Sequence, residues 1–314
     1  MHNALVGVCM ITYNHQSYVG QAIESIMSQI TNFDFELVIG EDHSTDNTRA
    51  ICEKYAQLYP GKIRLLNSDR NYGMGGNFTR TLNECSSYKY VAICEGDDFW
   101  TDNNKLQKQV DFLENNPEFV ICFSDIHIVD ELNSANAFLP AITKDVFTIE
   151  DIILSNMNIM PTPTLLFRNV LPESLPEFLK TALSGDLIIQ LLLTDKGKAK
   201  YIDEKLAAYR NHAGGVTKSK EHLEKGEIAR LNTYHNINEY FNYKYDAVFK
   251  KRFLSMARES LIYYSRDKKG TEKLKHYFKH FPKYLKYSDK INVKEILYYH
   301  AILFFPLVLK PFKK

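Results

Sequence analysis

Short apolar runs alternate with helix-like segments from residue 4 to residue 123 of this 314-residue chain. Runs typical of buried strands occupy five stretches, at residues 4–12, 35–40, 63–66, 90–94 and 119–123. The segments between them carry apolar residues at helical spacing. This alternation predicts an α/β fold, with a Rossmann-like, mostly parallel sheet covered by helices on both faces.

Polar side chains stand where three of these strands are predicted to end. They are Thr12-Tyr13-Asn14, Glu41-Asp42 and Asp97-Asp98. Parallel strands joined by right-handed crossovers bring their carboxyl ends to one side of the sheet, where open α/β sheets bind ligands. The sequence therefore predicts a crevice at this edge, lined by residues that are far apart in the chain.

The adjacent carboxylates Asp97 and Asp98 end an apolar run abruptly. Two neighbouring acids repel each other unless a cation shares them, so the pair favours a metal site. A second interpretation is helix capping or turn chemistry, because the pair and Asp102 precede an amphipathic segment that begins at Lys105. Both interpretations stay open on these residues alone.

Nucleotide-binding loops of two common kinds are absent from the sequence. The first strand is not followed by G-x-G-x-x-G, and there is no G-x-x-x-x-G-K-[ST]. Residues 72–77 are glycine-rich but lack the lysine. They fit either a flexible turn that begins a helix or a loop that contacts substrate.

The charge of the chain divides into an acidic front and a basic back. Residues 1–215 contain 17 Lys+Arg and 28 Asp+Glu, a net charge of −11, whereas residues 216–314 contain 22 and 10, a net charge of +12. With 45% hydrophobic and 25% charged residues, the composition is that of an ordered globular protein. We expect a catalytic domain at 1–215 and a helical C-terminal region at 216–314.

The five cysteines show no closely spaced pair and fall at apolar positions of predicted elements. This usage is typical of reduced core cysteines in a cytoplasmic protein. The N-terminus carries no basic leader or cleavage region, so no signal peptide is predicted. We expect a cytoplasmic location.

Three motifs resemble those of the family-2 glycosyltransferases of GT-A fold, in order and in spacing. They are Val-Cys-Met-Ile-Thr-Tyr-Asn at 8–14, Val-Ile-Gly-Glu-Asp-His-Ser-Thr-Asp at 38–46 and Glu-Gly-Asp-Asp at 95–98. The resemblance covers roughly the first two thirds of the chain. It implies a nucleotide-diphosphate sugar as donor, a divalent cation (Mn²⁺ or Mg²⁺), and transfer with inversion at the anomeric carbon.

The resemblance also assigns roles to individual residues. Nucleotide or donor contacts fall to Thr12, Tyr13, Asn14, Glu41, Asp42 and Asp97. Among these, Tyr13 would lie against the base and Asp42 would accept a hydrogen bond from its ring N–H, while Asp98 would bind the metal. The chain departs from the usual pattern at Glu41, His43 and Glu95, where a shorter residue is common.

Two further segments carry candidate residues under this resemblance. Asp186 opens a predicted helix and would be the base that takes the proton of the acceptor hydroxyl; without the resemblance, a plain helix cap is the better interpretation. His212 would return to the metal or the diphosphate, although a single histidine is more often structural. Arg210 would pair with the diphosphate or a core acid.

The C-terminal region combines lysines with eleven of the twenty tyrosines. This mixture suits the anionic face of a membrane, and a basic helical domain packed on the catalytic domain is the equal alternative. The apolar run at 296–309 is shorter than the ~20 residues that cross a bilayer. Nucleic-acid binding ranks third, because the sequence shows no recognised module for it.

Together these features predict an inverting, metal-dependent glycosyltransferase. It would move a sugar, with a UDP-sugar as the expected donor, to a hydroxyl of a glycan or lipid-linked glycan in surface polysaccharide biosynthesis. If the C-terminal region contacts a membrane, we expect the cytoplasmic face of the inner membrane. Two alternatives remain: a non-catalytic scaffold subunit that binds nucleotide sugars, and a sugar nucleotidyltransferase. Loss of sugar transfer in Asp186→Asn would exclude the scaffold subunit. Pyrophosphate release from a nucleoside triphosphate would indicate the nucleotidyltransferase.

Overall fold

The computed structural model describes residues 4–130, 142–155, 159–182, 184–215, 220–267 and 270–288, together with residues 294, 296, 297 and 299. The chain divides into two compact units, Met1–Ile237 and Asn238–Lys314. The predicted catalytic domain at 1–215 lies wholly within the first unit, and its boundary at 215 stays a prediction.

The first half of the sheet is the predicted parallel array. Its strands run in the order β3-β2-β1-β4, and every neighbouring pair is parallel. Their bounds are Val6–Thr12 (β1), Phe35–Glu41 (β2), Ile63–Leu65 (β3) and Tyr90–Ile93 (β4). The strands β1, β2 and β4 are buried almost throughout, because helices cover both faces of a parallel sheet.

The second half of the sheet mixes strand directions. The order continues β4-β8-β6-β9-β5, with β7 also paired to β9. Among the described pairs of this half, β6 and β9 alone are parallel, while the β4–β8, β8–β6, β9–β5 and β9–β7 pairs are antiparallel. The bounds are Phe99–Trp100 (β5), Phe119–Asp130 (β6), Val146–Phe147 (β7), Leu166–Arg168 (β8) and Lys198–Asn211 (β9). The sequence pattern did not predict these antiparallel pairings.

Among the described residues up to 215, six α-helices lie between or beside these strands. They are Val19–Met27 (α1), Thr48–Leu58 (α2), Met74–Glu84 (α3), Lys105–Asn115 (α4), Ile149–Leu154 (α5) and Gly185–Thr194 (α6). Capping is clearest in α5, where the side chains of Thr148 and Asp151 form a capping box. In α1, the residues Val19, Ile23 and Ile26 form the buried face, as their helical spacing predicts.

Glycine brings α3 close to the sheet. A Cβ atom on Gly40 of β2 would lie 1.9 Å from Thr81 Oγ1 and 2.8 Å from Asn77 Oδ1. The Asn77 side-chain amide uses this closeness to donate a hydrogen bond to the Gly40 carbonyl, at 2.6 Å. The helix that follows the glycine-rich stretch is therefore held against the strand that carries Glu41.

The five cysteines are free and buried, as the sequence predicts for core residues. Cys9, Cys94 and Cys122 lie in or beside the strands β1, β4 and β6, while Cys52 and Cys85 lie in and directly after helices. Burial raises the pKa of the Cys52 and Cys122 thiols to about 12. Neutral thiols in such positions act as small apolar side chains.

The helix α7 (Lys220–Tyr240) crosses the division between the units. The second unit continues with α8 (Asp246–Asp267) and α9 (Gly270–Tyr287). Its own apolar cluster contains Ala257, Leu261, Tyr277, Tyr284 and Tyr299. Across the part of the chain that the structure describes, none of the helices combines the length and apolar character needed to span a membrane. Most of the apolar run at 296–309 lies outside the described residues.

Candidate functional site

Backbone hydrogen bonds join the ends of three parallel strands. The Asp42 N–H donates to the Thr12 carbonyl at 3.0 Å, and the Gly96 N–H donates to the Ile11 carbonyl at 2.9 Å. A Cβ atom on Gly96 would lie 2.4 Å from Thr12 Oγ1, so only glycine fits there without displacement. The carboxyl ends of β1, β2 and β4 thus meet at one edge, as predicted.

The turn after β1 is fixed against the loop after β2. Asn14 has a positive φ of 55°, and its side-chain Oδ1 accepts a hydrogen bond from the Thr45 N–H at 2.9 Å. The Asn14 N–H in turn donates to Ser44 Oγ at 3.0 Å. Asparagine tolerates this left-handed conformation better than most residues do. The neighbouring Tyr13 is 42% exposed, which leaves its ring available to a ligand.

Glu41 and Asp42 differ in what they contact. Glu41 is fully buried, and its Oε1 accepts a hydrogen bond from the Ser44 N–H at 2.7 Å. Asp42 is also buried, but its Oδ1 accepts the Tyr72 N–H at 2.7 Å, which ties β2 to the glycine-rich stretch. Burial raises the pKa of the Asp42 carboxyl. The stretch at 72–77 is therefore both the start of α3 and a wall of this site.

Two arginines flank the ring of Tyr72 beside Asp42. The guanidinium carbons of Arg70 and Arg80 lie 4.8 and 4.5 Å from the ring centroid. Arg80 also donates to the Glu41 carbonyl at 2.8 Å, which secures the end of β2. These contacts place positive charge close to the crevice, where it favours an anionic ligand.

Three side chains converge where β1, β4 and β9 end. His212 Nε2 lies 3.1 Å from Asp97 Oδ2, and His15 Nε2 lies 3.7 Å from the same oxygen. One donor atom from each residue lies within 4.8 Å of the other two. We call this group the His–Asp–His cluster; two imidazoles and a carboxylate are ligands that suit a transition-metal ion.

The electrostatics of the cluster favour an ionised carboxylate. Burial raises the pKa of Asp97, but the hydrogen bond with His212 and the electrostatic interaction with the His15 imidazole outweigh it and hold the pKa below its ordinary value. Burial lowers the pKa of His15, so this imidazole tends to be neutral. A neutral imidazole and an ionised carboxylate are the forms that bind a metal.

Asp98 turns away from the cluster and into the protein. It is 3% exposed, and its Oδ1 accepts the backbone N–H of Arg210 at 2.9 Å. Burial and the neighbouring charge of Asp97 raise its pKa well above the usual range. The Arg210 side chain donates to the Asp97 carbonyl at 3.0 Å and to Gln21 Oε1 at 2.7 Å. Arg210 therefore holds the acidic turn in place.

Asp186 stands in the first turn of α6. Its Oδ2 lies 3.3 Å from the hydroxyl of Thr162, which therefore donates to the carboxylate. Burial raises the pKa of Glu95, in the acidic turn after β4, and the charges of Asp98, Asp97 and, least of all, Asp186 add to this shift. The residue predicted as the base thus lies near enough to that turn to interact with it electrostatically.

The structure brings most of the predicted residues to one edge of the sheet. Thr12, Asp42, Asp97 and His212 lie there, while the carboxylates of Glu41 and Asp98 are buried in contacts with backbone N–H groups. Their individual roles stay predictions. His15 was missed by the sequence analysis; its place two residues after Tyr13 is the only signal, and a single loop histidine is too common to indicate a site.

The mixed sheet, with acidic and imidazole groups at the carboxyl ends of its parallel strands, matches solved structures of GT-A fold. The profile of the family described as "Glycosyl transferase family 2" matches residues 7–171, which is more than half of the chain. The chain belongs to glycosyl transferase family 2.

An uncharacterised protein of Mycobacterium bovis is 30% identical over 211 residues, which cover 67% of this chain and 60% of the relative. The match thus spans less than two thirds of that relative's length.

Two solved structures show the same fold. S. aureus TarS (residues 1–349) in complex with UDP has a TM-score of 0.60 at 17% identity, with 95% of this chain and 86% of that chain covered. The mannosyltransferase PcManGT from Pyrobaculum calidifontis, in complex with GDP-Man and Mn²⁺, has a TM-score of 0.51 at 14% identity, with 96% and 81% covered.

Proposed function

We propose that this chain is an inverting glycosyltransferase that uses a nucleotide-diphosphate sugar, with a UDP-sugar as the expected donor. The observation that carries the proposal is the convergence of Thr12, Asp42 and Asp97 at the carboxyl edge of one sheet, with Asp186 near the same acidic turn. Family membership supports glycosyl transfer. The complexes of TarS with UDP and of PcManGT with GDP-Man support a nucleotide-sugar donor.

The nucleotide would bind between Tyr13 and Asp42. The exposed ring of Tyr13 offers a face for stacking the base. Asp42 has one oxygen bonded to the Tyr72 N–H, and an ionised carboxylate retains acceptor capacity for the ring N–H of a base such as uracil. The hydroxyl of Thr12 would border the ribose, and Asp97 would face the ribose or the donor sugar.

The His–Asp–His cluster fits a divalent cation, because its three donor atoms already lie within 4.8 Å of one another. His212, a predicted ligand, belongs to this cluster, and Asp98 stays a predicted ligand next to it in sequence. A bound Mn²⁺ would neutralise negative charge on the diphosphate leaving group. The mannosyltransferase PcManGT, which shares the fold, was solved in complex with GDP-Man and Mn²⁺.

Asp186 would act on the acceptor. The acceptor oxygen would form a bond to the anomeric carbon, the bond from that carbon to the phosphate oxygen would break, and the electron pair would leave with the nucleoside diphosphate. The acceptor proton would pass to the Asp186 carboxylate, which would act as the general base. The Thr162 hydroxyl, 3.3 Å away, would orient that carboxylate. Attack opposite the leaving group inverts the anomeric configuration.

We infer a glycan or lipid-linked glycan hydroxyl as the acceptor and surface polysaccharide biosynthesis as the setting. Free, buried cysteines fit a reducing compartment, which supports the expected cytoplasmic location. The acceptor and the setting rest on the family resemblance.

Replacement of Asp186 tests the reaction. Asp186→Asn removes the proton acceptor but keeps the size of the side chain, so we expect transfer of radiolabelled sugar from a panel of UDP-, GDP- and dTDP-sugars to lipid extract to fall at least a hundredfold. Nucleotide binding in the presence of Mn²⁺ should be unchanged. Asp246→Asn is the matched control, because Asp246 also stands in the first turn of a helix, at the start of α8.

Three results would count against the proposal. Undiminished transfer by Asp186→Asn would remove the base assignment. Nucleotide binding without any transfer would favour the scaffold function. Release of pyrophosphate from a nucleoside triphosphate and a sugar phosphate would favour a nucleotidyltransferase.

A further inference from the structure

One side of α9 exposes a row of large apolar side chains. Leu274, Phe278 and Leu285 are 40%, 68% and 40% exposed. Their spacing of four and seven residues puts them on one side of the helix. A different side of α9 is buried, through Tyr277, His280 and Tyr284. We call the exposed row the apolar stripe; it is separate from the surface that packs into the core of the second unit.

Lysines border the apolar stripe along its length. Each stripe residue is followed directly in sequence by an exposed lysine, at positions Lys275, Lys279 and Lys286. A step of one residue turns about 100° around a helix, so the three lysines form a parallel row beside the stripe. Lys283 lies on the same side as this row and is half-buried. The helix therefore presents an apolar row and a cationic row together.

The second unit, which contains α9, is positively charged like the lysine row. Residues 238–314 contain 18 Lys+Arg and 7 Asp+Glu, a net charge of +11. An apolar stripe beside a row of lysines is the pattern of helices that lie in a membrane interface, where the apolar side chains enter the lipid boundary and the cations contact acidic head groups. The charge of this unit complements an anionic lipid surface.

We propose that α9 docks this chain on an anionic membrane surface, with the apolar stripe at the boundary between head groups and acyl chains and the lysine row on the lipid phosphates. The docking does not depend on the transfer reaction proposed above. A second copy of the chain fits the surface less well. A two-fold contact would bring the same patch of both copies together, and so would bring the lysine rows close to each other.

Vesicle co-sedimentation of the full chain tests the proposal. We expect binding to vesicles that contain phosphatidylglycerol and little binding to vesicles of pure phosphatidylcholine. Binding should weaken as salt is raised, because salt screens exposed charges. Two variants test the contributions of the two rows to vesicle binding separately. They are a stripe variant, L274Q/F278Q/L285Q, and a lysine variant, K275Q/K279Q/K286Q. Glutamine is a good helix former, so both should keep α9 intact.

Each variant has its own expected result. The stripe variant should weaken binding to the anionic vesicles at least tenfold. The lysine variant should weaken it by about fivefold per lysine, hence roughly a hundredfold, and should reduce its salt dependence. Matched controls in the first unit are I30Q/L58Q, at side chains that are 63% and 60% exposed, and K54Q/K62Q/K196Q, at exposed lysines. Both controls should bind as the unaltered chain does.

Circular dichroism and light scattering complete the test by reporting folding and oligomeric state. Binding that is equal on both vesicle types, or equal in the α9 variants and their controls, would overturn the proposal. So would a dimer of the unaltered chain that the stripe variant dissociates, without binding to vesicles. That outcome would make the stripe a contact between copies.

Discussion

A lysine buried in the first unit makes the stability of this protein depend on pH. Lys105, the first residue of α4, is fully buried, and its Nζ donates to Gln109 Oε1 at 2.7 Å and lies 4.4 Å from the centroid of the Trp100 ring. Burial lowers the pKa of Lys105 to about 7. A cation at this position also opposes the positive end of the helix dipole. The charged form is therefore costly in the folded state.

The lowered pKa fixes the sign of the effect. Between about pH 7 and the unfolded pKa of about 10.4, the unfolded chain holds a proton on Lys105 more often than the folded chain does. The free energy of unfolding therefore rises with pH through this window, and the cost is fully present below it. At about 1.4 kcal/mol per pKa unit, the full cost is roughly 5 kcal/mol.

Lys105→Met removes this cost and keeps a long side chain in the space. Gln109 Oε1 then loses its donor, which costs about 1–3 kcal/mol. We expect the variant to be about 2–4 kcal/mol more stable than the unaltered chain at pH 6. The difference should shrink by roughly 3 kcal/mol by pH 9, which is two units above the folded pKa.

Urea denaturation followed by tryptophan fluorescence at pH 6, 7, 8 and 9 measures this difference, because Trp100 is the sole tryptophan and contacts Lys105. The matched control is Lys108→Met, one turn along α4, where the lysine is partly exposed to water and paired with Asp102 and Glu204. We expect a change of at most about 1 kcal/mol there. Stability curves of Lys105→Met and the unaltered chain that stay parallel from pH 6 to pH 9 would refute the reasoning.

Two further substitutions probe the sheet and the cluster. Gly40→Ala should destabilise the first unit by about 1–3 kcal/mol, because its Cβ would lie 1.9 Å from Thr81 Oγ1. Urea denaturation measures this loss. The comparison variant is Gly61→Ala, where the space around the new Cβ is open but φ is +77°. Unchanged stability of Gly40→Ala would contradict the packing argument. His15→Ala should weaken Mn²⁺ binding about 10–100-fold in calorimetry. His43→Ala, at an exposed loop histidine, is the control and should leave Mn²⁺ binding unchanged. Equal Mn²⁺ affinities of the two variants would exclude His15 as a ligand.

The parallel half of the fold follows from local sequence pattern. The predicted apolar runs at 35–40 and 90–94 match β2 and β4 within a residue, because strands buried on both faces read as continuous apolar stretches. The strands β8 and β9 of the mixed half of the sheet could not be placed in the same way. Their partners are distant in sequence, and short apolar runs do not indicate the direction of pairing.

The sequence analysis could place those site residues that directly follow a predicted strand. Asp42 and Asp97 follow directly from the rule that parallel strands share a carboxyl edge. His15 depends on tertiary structure: the left-handed turn at Asn14 and the hydrogen bond from the His15 N–H to Thr48 Oγ1 place its ring beside Asp97. The inward orientation of Asp98 depends on the Arg210 N–H, which lies 112 residues away in the chain.

Binding of the donor nucleotide decides whether this edge of the sheet is the site of a glycosyltransferase. Calorimetric titration with UDP, GDP and dTDP, each with Mn²⁺, should show saturable binding of at least one of them to the unaltered chain. Asp42→Ala should abolish that binding, since it removes the proposed acceptor for the ring N–H, and Asp246→Ala should leave it intact. No binding of any of the three, or equal binding by Asp42→Ala, would contradict the proposed donor site.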